Sequence, residues 1–223
     1  MRKRQCSLKN RALMCARRYK IFADSLTVHG VRSRNSPLSV RGSRFATSLP
    51  LGARNQTMKI RTATEADRDA IWQIFHDVIA AGDTYAFDVG MSRQDALGYW
   101  YEANTRTYVT ESDGRIVGTY ILRPNQSGGG SHIANAAFMV APDARGQGIG
   151  RAMGEHCVSE ARRLGFRAMQ FNFVVSTNEA AVRLWQKLGF EIVGTLPGAF
   201  HHPEKGYVDV YVMFRSLLQP EHR

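Results

Sequence analysis

From position 58 onward the apolar residues recur with readable periods. Residues 59–63 alternate in character and predict a short strand. Thr64 can cap a helix over 65–81, whose stripe Ile71, Trp72, Ile74, Phe75, Val78 and Ile79 repeats at helical spacing. A loop with Tyr85 and Phe87 follows, and Ser92 caps a second helix to about 103. Positions 107–112 and 115–123 read as an antiparallel pair around Ser112-Asp113-Gly114. Positions 124–130 are a loop of Pro, Asn, Gln, Ser and Gly, and a strand over 132–140 is ended by Pro142. A helix over 146–164 puts Ile149, Met153, Cys157, Ala161 and Leu164 on one face. A buried strand over 168–174 precedes a helix over 178–188 that Gly189 closes. Two last strands, 190–194 and 207–214, are joined by a loop rich in Pro, Gly and His. The order β-α-α-β-β-β-α-β-α-β-β predicts an α/β fold with one mixed central sheet and helices on both faces.

No such period runs through residues 1–57, where Gly30, Pro37, Gly42, Pro50 and Gly52 break the chain. This segment holds 13 of the 30 Lys and Arg but a single acid, Asp24, so it carries +12 and the remainder −1 of the net +11. The remainder is near neutral, which argues against a nucleic-acid-binding surface on the domain itself. Three readings of the segment stand: an extension upstream of a start at Met58, a mitochondrial transit segment, or a basic arm that binds nucleic acid. The first leaves a cytoplasmic domain over 58–223, and the second sends that domain to the mitochondrion. A secretory signal lacks its apolar region, and no apolar run approaches the ~20 residues of a membrane span. The three cysteines, Cys6, Cys15 and Cys157, suit neither a disulfide framework nor a zinc site. His201-His202 has no Asp or Cys at ligand spacing, so no metal is expected.

The chemistry concentrates where the 132–140 strand runs into a helix, through Arg145-Gly146-Gln147-Gly148-Ile149-Gly150-Arg151. The first N–H groups of a helix have no intrahelical acceptor, and its dipole favours an anion there. Glycines allow close approach and the two arginines add charge. No Gly-Lys-Ser/Thr ends the run, so it is not a nucleotide P-loop.

The pattern R-x-x-G-x-G after a strand ending Val140-Ala141-Pro142 resembles the acyl-CoA-binding motif of the GNAT N-acetyltransferase superfamily. The run Asn178-Glu179-Ala180-Ala181-Val182-Arg183-Leu184-Trp185-Gln186-Lys187-Leu188-Gly189-Phe190 resembles that family's next helix. The resemblance implies strands splayed to hold acetyl-CoA as co-substrate. Phe138, Met139 and Val140 would then offer backbone groups to pantetheine and the thioester. Arg145, Gly146, Gln147, Gly148, Ile149, Gly150 and Arg151 would hold the pyrophosphate, and Asn178 would face the pantetheine and sulfur. A homodimer is implied as well.

Two positions depart from the family pattern. Residues 131–141 contain no acid where many members place a Glu, leaving His132 and Asn135 as polar candidates. Trp185 stands where many members have a Tyr that protonates the leaving thiolate. Catalysis would then rest on proximity and on backbone contacts to the oxyanion. The stretch around Asn172 to Asn178, with Val193-Gly194-Thr195-Leu196-Pro197, resembles the branch that acetylates azetidine-2-carboxylate and proline analogues. In that branch, asparagines matching Asn135, Asn172 and Asn178 line the active site.

The expected reaction is acetyl transfer to the nitrogen of a small-molecule amine, such as an amino or imino acid. Transfer to a protein or peptide amine, and a non-catalytic acetyl-CoA-binding module, are the alternatives. Tyr85, Phe87, His132 and Trp185 are the pocket candidates. Each residue also has a plainer role open to it: Asn172 as a structural hydrogen bonder, Asn178 as an N-terminal helix residue near Thr177, and Trp185 and Cys157 as core.

Overall fold

The computed structural model describes residues 58–218; the basic segment 1–57, with its three readings, and residues 219–223 lie outside the described residues. Asp113 and Gly114 have φ of 51° and 76°. Two consecutive left-handed residues match the twist of a tight hairpin, so β2 (Arg106–Ser112) turns directly into β3 (Arg115–Pro124). β1 (Met58–Thr62) pairs antiparallel with β2, and β4 (Ile133–Val140) antiparallel with β3. β5 (Ala168–Val175) joins β4 in parallel. The last hairpin, β6 (Glu191–His202) and β7 (Gly206–Ser216), pairs through β7, giving the sheet order β1-β2-β3-β4-β5-β7-β6. A mixed sheet with one parallel step is the architecture the element order implies.

Neighbouring residues on β3 show which helices cover which face. Thr119 accepts a 2.9 Å bond from the Trp100 indole of α2 (Arg93–Trp100), and α1 (Arg68–Ala80) packs on the same side. Gly118 faces the other way, where a Cβ would come within 3.0 Å of Ile149 and Met153 of α3 (Ile149–Arg163). α4 (Glu179–Lys187) lies beside α3, with Leu188 and Trp185 against Gly154. Of the predicted α1 stripe, Ile71, Ile74, Phe75, Val78 and Ile79 are buried, while Trp72 is only half-buried.

Several element ends differ from expectation, each for a local reason. Residues 65–67 form a 3-10 turn before α1, because the Asp67 carboxylate takes the Thr64 N–H (2.7 Å) and hydroxyl (3.0 Å). The Arg61 guanidinium beside it holds this buried carboxyl down at about 2. α2 stops at Trp100, where the Thr107 hydroxyl captures the Trp100 carbonyl at 2.7 Å. α3 begins at Ile149, because Gly146 and Gly148 sit at φ 79° and 81°, outside helical space. The loop expected between the last two strands is largely strand. A shift of register at Ile192/Gly194 leaves out Val193, one at Leu196/Phe200 absorbs Pro197 and Gly198, and Asp209 accepts the Gly198 N–H at 2.9 Å. His202 is buried and its ring accepts the Glu204 N–H (3.1 Å), while His201 packs at a tilt against Tyr207 (4.9 Å). The histidine pair therefore shapes a hairpin tip.

Candidate active site

β4 and β5 are in register only at Ile133↔Ala168 and Ala134↔Met169. β4 runs on to Val140 and β5 to Val175, so the strands part from Asn135 onward. Side-chain amides bridge the parting point. Asn135 Nδ2 donates to the Gln170 carbonyl at 2.8 Å, where a ladder bond would otherwise come from β4. Gln170 Nε2 donates to Asn172 Oδ1 (2.8 Å), and Asn172 Nδ2 to Asn125 Oδ1 (2.6 Å). Asn135 and Asn172 thus belong to one hydrogen-bonded chain. Asn178 stands apart as the cap of α4, its Oδ1 accepting the Ala181 N–H at 3.2 Å.

Beyond Asn135 the free edge of β4 faces the fork. A strand points successive backbone groups to opposite sides. Ala141 donates to Val117 of β3 at 2.9 Å, so Met139 also turns toward β3, opposite Thr119. Phe138 and Val140 present the fork edge, while the backbone of Met139, expected to face the co-substrate with them, pairs with β3. Tyr85 reaches this edge from the loop between α1 and α2: its hydroxyl accepts the Phe138 N–H at 3.1 Å and donates to the Phe138 carbonyl. Burial pushes the Tyr85 phenol well up from its ordinary value, so it stays protonated. The Phe138 ring points to the opposite face, 4.8 Å from Trp185 and 5.3 Å from Tyr120. Trp185, 7% exposed among Phe138, Phe171 and Phe190, is a buried support under the fork and not a pocket wall.

At the open end of the fork, Pro142–Ala144 make a 3-10 turn and the glycines follow. Gly148 is the α3 cap at φ 81°, a conformation that any residue with a Cβ strains to adopt. The N–H groups of Ile149, Gly150 and Arg151 open the helix without intrahelical acceptors. Arg145 is exposed beside them, and Arg151 pairs with Glu155 at 2.8 Å on the outer face of α3. A fork whose edge no strand pairs, ending at a positively polarised helix start, fits an extended thioester chain that terminates in phosphates.

The sequence pattern of the acetyltransferase (GNAT) family matches residues 71–190. The chain belongs to this family. The N-acetyltransferase aca1 of Schizosaccharomyces pombe is 32% identical over 151 residues, 60% of this chain and 72% of that protein. The L-amino acid N-acyltransferase MnaT of Escherichia coli is 29% identical over 145 residues, 63% of this chain and 83% of that protein. The structure of yncA, a putative acetyltransferase from Salmonella typhimurium with its cofactor acetyl-CoA, superposes with a TM-score of 0.65 at 27% identity, covering 73% of this chain and 95% of that one. The protein is an acetyl-CoA-dependent N-acetyltransferase with the mixed α/β fold of its family.

On the α2 side of the fork a second set of polar and aromatic side chains gathers. Arg123 sits opposite Asn135 in the β3–β4 register, so both side chains share this face. Its guanidinium is only 20% exposed, lies 4.6 Å over the Tyr99 ring, and bonds the Tyr99 hydroxyl (2.9 Å) and Glu102 (2.6 Å). Phe87 packs edge-on against Tyr99 at 5.1 Å and alongside Tyr85 at 5.6 Å. Tyr85, Phe87, Tyr99, Arg123 and Asn135 are therefore linked across this side. His132 lies outside the fork, before β4 begins, with its ring held by the Gly129 carbonyl at 3.0 Å. Arg123, Gln170, Asn125 and Tyr99 were not foreseen from sequence; the one available signal was an arginine closing the apolar run 116–122.

Among the described residues no helix is long and apolar enough to cross a membrane, and no cluster of three or more His, Cys, Asp or Glu could hold a metal.

Proposed function

We propose that the enzyme acetylates the nitrogen of a small amine that also carries a carboxylate, an amino or imino acid. The supporting observation is the face beside the fork: β3, β4 and β5 carry no Asp or Glu, and a half-buried arginine stands next to Asn135 and the amide chain. A cation among amides attracts a carboxylate, in exchange for its exposed partner Glu102, and strands that carry no acid do not trap an ammonium as an ion pair. The E. coli relative, an L-amino acid N-acyltransferase, agrees with this reading. With no carboxylate base on the central strands, rate enhancement comes from holding the amine against the thioester and from backbone donors on β4.

The decisive experiment is acetyl-CoA-dependent thiol release with residues 58–223, which we take as the domain. Amino and imino acids, azetidine-2-carboxylate included, would be run against their carboxamides. Turnover confined to the carboxylates supports the proposal, and equal turnover of the carboxamides removes it. Arg123→Met should raise the KM of the carboxylate substrate about 10- to 100-fold, the worth of one charge-assisted pair, and leave the KM of acetyl-CoA unchanged.

We further place a second copy of the chain against β6. This is an edge strand that exposes Val193 (59%) and Leu196 (43%), with Phe173 nearby at 39%. Unpaired apolar edges call for a cover. Velocity sedimentation should give a dimer that Val193→Asp converts to monomer, and a monomeric parent protein would refute the placement.

A further inference from the structure

We propose that Tyr85 is a resident stand-in for acyl-CoA: its hydroxyl occupies the Phe138 edge of β4 until the thioester arm replaces it. This rests on the reading that acetyl-CoA lies in the β4–β5 fork. Both backbone groups of Phe138 face that fork, and one hydroxyl satisfies both of them, as acceptor of the N–H and donor to the carbonyl. A phenol is suited to this double role, because a neutral hydroxyl both gives and takes a hydrogen bond. An unpaired N–H and carbonyl on an open strand edge would otherwise be left to water or to a passing strand.

Tyr85 is separated from Phe138 by 53 residues and is brought there by the loop between α1 and α2. Phe87, on the same loop, links the Tyr85 ring to Tyr99, and Tyr99 carries Arg123 on its face. Displacing Tyr85 therefore moves the aromatic wall of the amine pocket. Tyr85 is a positioning residue: arrival of the acyl donor is what frees the loop that shapes the acceptor side.

A competitor that is removed makes its rival bind more tightly. Tyr85→Phe keeps the ring and its packing but deletes the hydroxyl. Isothermal titration should show the Kd for acetyl-CoA falling about tenfold, equivalent to about 1.4 kcal/mol. A purely structural hydroxyl would give the opposite sign, because its loss loosens the fork. An unchanged or higher Kd in the folded variant overturns the proposal. The parent chain supplies an independent measurement. With 3-fluorotyrosine placed at position 85, the fluorine resonance should move during an acetyl-CoA titration and saturate with the calorimetric Kd. A resonance that stays fixed while acetyl-CoA binds also overturns it. Absence of acetyl-CoA binding by the parent protein would instead strike the reading of the fork, so the two failures are distinguishable.

Discussion

Gly148→Val should raise the Kd for acetyl-CoA by about 100-fold or more while the protein remains folded. The argument is conformational. Gly148 stands at φ 81° between the β4 edge and the first turn of α3, and a Cβ there would meet no protein atom within 4 Å. Packing is not the objection. A β-branched residue strains at positive φ by about 1–2 kcal/mol, so the backbone either keeps the turn under strain or rotates out of it. Rotation swings away the N–H groups that open α3, each worth about 1.5–3 kcal/mol to an anion. A valine that kept the turn would project into the open space a pyrophosphate needs. The Tm should fall by only about 3–8 °C, because the turn is exposed and the α3 core residues Met153 and Cys157 are untouched. Gly148→Ala should show a smaller loss of the same kind. Unchanged acetyl-CoA affinity in the valine variant would falsify the cradle.

The succession of strands and helices along the chain was legible in the sequence because each element carries its own period. The α1 stripe, the hairpin at Asp113-Gly114 and the Asn178 cap are local events between residues a few positions apart. The glycine turn that opens α3 was legible for the same reason, since its glycines stand side by side. Boundaries failed where a distant partner or a special φ decided them. Thr107 ends α2 by taking a carbonyl, and Gly146 and Gly148 delay α3 by leaving helical space. The β6–β7 hairpin was misread because Pro and Gly ordinarily mark loops, yet a bulged edge strand tolerates both.

The candidate site was legible only in part. Asn135 and Asn172 were singled out as chemistry, but their joining through Gln170 depends on where β4 and β5 part, and no period encodes a register. Arg123 gained meaning only when pairing set it opposite Asn135. Three consecutive residues of β4 were expected to face acetyl-CoA, and strand alternation removes the middle one, Met139. Trp185 was open to a pocket role and a core role, and the aromatic cluster under Phe138 places it in the core.

Asn135→Ala should lower kcat/KM for the amine about 30- to 100-fold and change the acetyl-CoA Kd by less than about threefold. The Gln170 carbonyl can only accept, so Asn135 must turn its Nδ2 toward it, and Oδ1 is the group that remains. An amide oxygen cannot remove a proton, but it can take a hydrogen bond from an amine N–H and hold the nitrogen's lone pair in line with the thioester. The acyl donor depends on the Phe138 edge and the glycine turn, both further along the chain, which is why its affinity is spared. Truncation also leaves the Gln170 carbonyl without its donor, destabilising the fold by about 1–3 kcal/mol. That second effect is separable by Asn135→Asp, which cannot donate to the carbonyl yet still offers an acceptor oxygen. If Oδ1 orients the amine, the aspartate variant shares the stability loss but retains more turnover than the alanine variant. If Asn135 matters only as the pin of the fork, both variants lose turnover and acetyl-CoA affinity together.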